Sequence, residues 1–188
     1  MYFDMVSMQF AMHYMLKSEE KVRNFLGNVA SRLCAGGYFI CTHPDANVIM
    51  KKLRERHEID EEGKYFTGNS FYSIIIDDLK VPKEKGPYGH PYGFFLADGA
   101  VGNRREVDGE AAIEYVPEYF IVFREFAKLA KEYGLELIET KNFHEFYSEN
   151  IQSKKYHHIF KNKIRFDTTG ESALLMEPDL WDVSYLYR

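Results

Sequence analysis

The stretch FDMVSMQFAMHYML, Phe3–Leu16, decides the fold. YFDMVSM, Tyr2 to Met8, is a short apolar run with one acid, Asp4, inside it, which is the pattern of a buried parallel strand. Gln9, Phe10, His13 and Tyr14 then crowd a loop at the carboxyl end of that strand, where open α/β sheets bind ligands. Next, Ser18 followed by Glu19, Glu20 and Lys21 marks a helix start, with the serine as N-cap and acids in the first turn. Val22, Phe25, Leu26, Val29 and Leu33 recur at helical spacing. The spacing predicts a helix to about Cys34, closed by the glycines of AGG at 35–37. Tyr38 to His43, YFICTH, reads as a second strand. Strand, helix, strand is a βαβ unit, whose strands run parallel with a right-handed crossover.

Outward from this unit, a polar helix is predicted over about Asn47–His57. Its Lys51, Lys52, Arg54 and Arg56 are balanced by Glu55, Glu58, Asp60, Glu61 and Glu62, so a solvated face is the better reading than an RNA-steering one. FYSIIIDDL (71–79) and GFFLADG (93–99) read as strands, separated by the Pro- and Gly-rich turns of 81–93. GNRREVDGE (102–110) reads as an exposed loop. VPEYFIVFREFAKLAKEYG (116–134) reads as a helix with Pro117 in its first turn and Gly134 at its end. LELIETKNF (135–143) alternates as a strand, Tyr147–Lys163 is helix or loop, and WDVSYLYR (181–188) is a last short strand.

At 188 residues the chain suits one domain with a sizeable core. A net charge of −5 argues against a general phosphate-tracking surface but leaves room for a pocket that takes one nucleotide. The 14 tyrosines and 15 phenylalanines are mostly core, with a surplus that suits stacking on flat rings. Two cysteines, Cys34 and Cys41, fit reduced structural thiols. No apolar run approaches a membrane span, so no membrane partner is expected.

Five blocks in order now carry a resemblance: Gln9-Phe10 with His13-Tyr14; Arg32 to Pro44; Tyr92, Phe94 and Leu96; Val116 to Tyr119; and Ala130 to Tyr147. Together with a closing Ser184-Tyr185-Leu186 they resemble the messenger-RNA cap guanine-N7 methyltransferases. The resemblance implies an α/β fold, the Rossmann-like class I methyltransferase sheet. The sheet would be incomplete, with strands four to seven present and the first three strands and the glycine-rich loop absent. AGGYF is no substitute for that loop, because its glycines precede a strand rather than follow one. Residues 1–188 would be a partial methyltransferase domain, with 44–115 a family-specific insertion region and an exposed loop near 102–110.

The implied activity is methyl transfer from S-adenosylmethionine to N7 of the GpppN cap of RNA. This chain would supply mainly the guanine-binding half and be inactive alone. The implied cap guanine-binding residues are His13, Tyr14, Pro44, Glu118 and Tyr185, and Gln9 and Phe10 would meet S-adenosylmethionine. Glu118 suits guanine because a carboxylate accepts from both N1–H and the N2 amino group, a choice that rejects adenine. N7 already carries a free lone pair, so no acid or base is required, and Glu118, His13 and Tyr14 would act by positioning. No metal site is expected, and His157-His158 reads as surface. The implied partners are the 5′ cap of mRNA and a second chain or the missing N-terminal half, or a second copy through the exposed sheet edge; the implied location is the nucleus. Two other readings stay open: a non-enzymatic fragment or cap- or nucleotide-binding module, and a class I methyltransferase acting on a small molecule.

Overall fold

Strand β1 (Phe3–Gln9) lies parallel to β2 (Leu33–Thr42), and helix α1 (Glu19–Arg32) connects them through a short 3-10 helix, Met12–Lys17. The computed structural model describes residues 1–80, 86–107, 110–151, 153–156 and 177–188. Ser18 caps α1, its Oγ accepting from the Lys21 amide at 3.3 Å. Val22 and Leu26 bury the helix's apolar stripe against Met12, Leu16, Ile121 and Phe126, and Val29 on the same helix is buried as well.

Two expectations for this unit are corrected. The glycines of 35–37 do not end the helix. They lie inside β2, where the pairing steps from Phe3↔Leu33 to Met5↔Tyr38, so the strand bulges. Gly36 takes a positive φ of 79° there, and a Cβ on Gly37 would sit 3.0 Å from the Asp4 carbonyl. Nor is the sheet buried on both faces. Met8, Phe39 and Cys41 pack toward α1, while Phe3, Met5, Tyr38 and Ile40 on the opposite face are exposed. Both cysteines are free; burial pushes the Cys41 thiol up to about 11, which makes it a poor nucleophile.

The middle of the chain is more regular than its composition suggests. After α2 (Ala46–Glu55) come β3 (Glu58–Ile59), β4 (Tyr65–Gly68), β5 (Tyr72–Ile76) and β6 (Pro91–Leu96). Next are β7 (Asn103–Val107), β8 (Glu110–Glu114) and β9 (Val116–Tyr119). An antiparallel sheet forms in the order β3-β4-β5-β6-β9, and Tyr72, Ile74, Ile76 and Phe94 pack with Ile49 and Leu53 of α2 in its core. The expected loop at 102–110 is largely a β7–β8 hairpin, with Asn103 to Glu106 exposed.

Pro117 is a strand residue, not a helix start. It tolerates that position because β9 is the edge of its sheet, where a missing N–H is harmless. The following helix, α3, begins only at Phe123 and ends at Lys131. Two further predicted strands are absent from the described residues. Leu135–Asn142 is irregular, with Leu137 56% and Ile138 78% exposed, because alternation makes a strand only beside an edge that can pair with it. Trp181–Tyr185 belongs to helix α5 (Pro178–Tyr185), started by a proline at its first turn. Between them α4 covers Phe143–Asn150, and Asn142 and Glu145 complete its capping box. His157 and His158 lie outside the described residues.

Gly93 shows how tightly the antiparallel sheet is packed. A Cβ there would fall 2.5 Å from Ile75 Cγ2 and 2.9 Å from Tyr115 Cβ. Gly93→Ala is expected to lower stability by about 1–3 kcal/mol, read as a lower urea midpoint at unchanged slope.

Candidate functional site

Strands β6 and β9 pair antiparallel with Tyr92 opposite Glu118, and opposed residues project from the same face of a sheet. Glu118 is only 1% exposed. Its Oε2 accepts from the Tyr92 hydroxyl at 2.5 Å and its Oε1 from the Tyr14 hydroxyl at 3.2 Å. The 3-10 helix after β1 brings His13 and Tyr14 over the end of β9, with the rings of the two residues 4.2 Å apart.

His13 is 3% exposed, and its Nε2 lies 3.3 Å from Glu118 Oε1 without the alignment of a hydrogen bond. Nδ1 also has no hydrogen-bond partner among the described residues. A buried ring with neither nitrogen satisfied costs free energy unless something else binds there.

Tyr92 holds the carboxylate from below. Its ring stacks on Phe120 at 4.3 Å and 14°, and burial, then the Glu118 charge and hydrogen bond, push its pKa well above the ordinary value. Tyr14 is pushed up to about 12 by burial first and then by Glu118. Both phenols therefore remain donors at neutral pH. Tyr92→Phe, which strands one buried carboxylate oxygen, is expected to cost about 1–3 kcal/mol in urea unfolding and to weaken any ligand that Glu118 orients.

A cavity of about 370 Å³ opens above this cluster. His13, Tyr14 and Glu118 contribute its polar groups, together with Asp98. Phe71, Leu96, Val101, Leu180 and Val183 line much of the rest. Phe10 and Tyr187 complete the wall, edge-on to one another at 5.1 Å. Phe10 is the one non-glycine residue with positive φ (53°) among the described residues, held there by bonds from its amide to Thr42 O and Oγ1, both 3.0 Å. Such strain persists where surrounding bonds over-determine it, and it sits here at the carboxyl end of a strand.

Of the residues named from sequence, His13, Tyr14, Glu118 and Phe10 are thus brought together. Gln9 is exposed and turned to its own strand, its amide donating to Ser7 Oγ at 3.0 Å. Pro44 is buried and forms an isolated bridge with Tyr187, but it does not line the cavity. Tyr185 is also outside the lining. Its ring lies 4.8 Å from His144, with Lys52 Nζ 5.8 Å above it. Helix geometry explains this: Leu180 and Val183 share the cavity face of α5, and two residues beyond Val183 is roughly 200° round the helix. Tyr187, past the helix end, takes the wall position instead.

Tyr92, which bonds to Glu118, and Asp98 and Tyr187, which line the cavity, are not among the residues named from sequence. Tyr92 had a signal, since the alternation of Tyr92, Phe94 and Leu96 places all three on one face of a strand.

The mRNA (guanine-N(7))-methyltransferase domain family matches residues 1–188. This chain belongs to that family. Among the relatives of this cap methyltransferase-family chain, the mRNA cap guanine-N(7) methyltransferase of Cryptococcus neoformans var. neoformans serotype D (strain JEC21) is 37% identical over 185 residues. That match covers 98% of this chain and 27% of the relative. The mRNA cap guanine-N(7) methyltransferase 1 of Oryza sativa subsp. japonica is 37% identical over 188 residues, covering 98% of this chain and 46% of the relative. The chain therefore spans between about a quarter and a half of these relatives. Among solved structures, the CcbJ methyltransferase from Streptomyces caelestis is 14% identical, with a TM-score of 0.43 over 73% of this chain and 48% of that one, too slight a likeness to bear on the fold.

Among the described residues no helix is long and apolar enough to cross a membrane, and no group of three His, Cys, Asp or Glu side chains could hold a metal ion.

Proposed function

We propose that this chain binds the guanine of a GpppN RNA cap and takes part in methylating its N7. The observation that carries the reading is Glu118, a buried carboxylate fixed by Tyr92 at the polar end of an apolar cavity, beside a buried histidine with no hydrogen-bond partner among the described residues. Guanine meets these groups in kind. Its N1–H and N2 amino group donate to Glu118, replacing the long bond from Tyr14. His13 donates to O6 and so satisfies a ring that is otherwise unpaired.

The ring becomes cationic as N7 is methylated. The Glu118 charge and the flanking aromatic faces of Tyr14 and Tyr187 favour that charge. The cluster thus holds the base still and suits its product, with no proton to move. S-adenosylmethionine would supply the methyl group when bound. Phe10 fits a role beside it, with a half-exposed ring held at the strand end. Gln9 fits less well, because its amide is turned to Ser7.

The test is methyl transfer from radiolabelled S-adenosylmethionine to GpppA-capped RNA, with ApppA-capped RNA as control and GpppA binding measured in parallel. Transfer confined to the guanosine cap supports the enzyme reading. Binding of GpppA without transfer favours the second reading, a cap-binding module. That reading draws on the contrast between the well-built guanine wall and the single residue, Phe10, well placed toward the donor. Methylation of small molecules alone would remove both. A nuclear location follows as the expectation for a cap-modifying chain.

The partner proposal concerns β1 and β2. Among the described residues this sheet has two strands, and Met5 (56%), Tyr38 (55%) and Ile40 (44%) are exposed on one face. Parallel sheets are ordinarily covered on both faces, and open strand edges recruit other strands. A second copy of this chain is the proposed occupant. Sedimentation velocity should give a dimer at micromolar concentration, and a monodisperse monomer there would refute it.

A further inference from the structure

The geometry points to Asp98 as the group that takes the ribose of the capping guanosine, through its 2′- and 3′-hydroxyls. This rests on the guanine reading of Glu118 and extends it to the sugar.

Asp98 sits in the turn that follows β6, where Gly99 N bonds to Leu96 O at 3.2 Å. Its Oδ1 accepts the Ala100 amide at 2.9 Å, which fixes the direction of the carboxylate. Oδ2 accepts no hydrogen bond among the described residues. The residue lines the same cavity as Glu118, and its charge contributes to the raised pKa of Tyr187 on the shared wall, after burial, Glu118 and Tyr14.

Strand geometry supplies the spacing. Tyr92 stands opposite Glu118, and Leu96, which lines the cavity, is four residues further along β6, or roughly 13 Å at the usual rise per residue. Asp98 follows just beyond. The cavity therefore offers a carboxylate toward each end, with Leu96, Val101 and Val183 providing apolar surface. Carboxylates accept hydrogen bonds and donate none, so the occupant must donate at both ends and be apolar between them. A nucleoside with a donor-bearing base edge does this, because its vicinal diol supplies two O–H donors, an arrangement acids use for ribose elsewhere. A phosphate at Asp98 would meet like charge. The ribose hydroxyls thus face the turn, and the triphosphate leads away from it.

The experiment measures dissociation constants for three ligands on the wild-type chain and on Asp98→Asn, which keeps the Oδ1 acceptor of the turn. The ligands are GpppA, GpppA whose capping guanosine lacks both ribose hydroxyls, and S-adenosylhomocysteine. Wild type should bind the dideoxy cap about tenfold more weakly than GpppA, the size of one charge-assisted hydrogen bond. Asp98→Asn should bind GpppA about tenfold more weakly and no longer distinguish the two caps, with unchanged affinity for S-adenosylhomocysteine and an unchanged thermal midpoint. If the variant still distinguishes the caps, or wild type never does while binding both, the ribose assignment is wrong and the guanine reading stands. A loss confined to S-adenosylhomocysteine would place the methyl donor's ribose, not the cap's, at Asp98 and overturn the assignment. If wild type binds neither cap, the guanine reading fails first.

Discussion

Glu118→Gln is expected to lower methyl transfer to the guanosine cap by about a thousandfold in kcat/KM, and GpppA affinity by about a hundredfold. The amide keeps the volume of the carboxylate, so the core around Tyr92 and Phe120 stays filled. It loses an acceptor and gains a donor, and one guanine N–H then faces an NH₂ group at a position only 1% exposed. The Tyr92 hydroxyl bonds to Oε2, so the amide oxygen is drawn toward Tyr92 and its nitrogen is left for the ligand. Comparing guanosine with inosine caps sharpens the test, since inosine lacks the N2 amino group. Wild type should prefer guanosine by about tenfold or more, and Glu118→Gln should hold little of that preference. A variant that retains full preference would show that the base edge is read elsewhere. Circular dichroism and urea unfolding separate a recognition defect from misfolding.

The parts of this molecule legible in its sequence are those settled by local chemistry. Ser18 and the acids after it place the start of α1, and the runs at Tyr2–Met8 and Tyr38–His43 give two strands that do pair in parallel. His13, Tyr14, Phe10 and Glu118 were named by residue type within recognisable blocks, and they converge on one cavity. What was not legible depended on neighbours. Leu135–Asn142 has the alternation of a strand, yet it is paired into no sheet among the described residues. Pro117 looks like a helix starter, but the sheet edge at β6 recruits it into β9. Tyr185 and Tyr187 are both aromatic and close in sequence; only the end point of α5 decides which of them faces the cavity. Asp98 carries no local mark, because its meaning comes from the distance along β6 to the partner of Glu118.

Acidification from pH 6.5 to 4 is expected to remove about 3 kcal/mol of stability through one side chain, His43. His43 is 2% exposed, stacked against Phe123 at 5.6 Å and 18°, with Nδ1 2.8 Å from the Pro44 carbonyl, to which it donates. Burial lowers its pKa from 6.5 to about 4, and the Pro44 bond only partly offsets this. Arg188 and His13 press in the same direction as burial, while Asp45, paired with Arg188 at 3.0 Å, opposes them. The folded pKa is thus below the unfolded one. Between the two values the unfolded chain binds more protons, so the stabilisation is present above pH 6.5, falls as pH drops, and is gone below about 4. Carboxylates titrate in the same range, so the informative quantity is a difference between proteins. His43→Gln keeps a group able to donate to the Pro44 carbonyl and cannot titrate. Its urea-derived stability should lose about 3 kcal/mol less than that of wild type between pH 7 and pH 4, and parallel curves would remove His43 as the sensor. The consequence reaches the site, because Pro44, next in sequence, bridges Tyr187, and the backbones of His43 and Arg188 bond to each other twice at 3.0 Å. Charging His43 therefore strains the segment that carries the Tyr187 wall, and GpppA affinity should decline over the same pH window in wild type more than in His43→Gln.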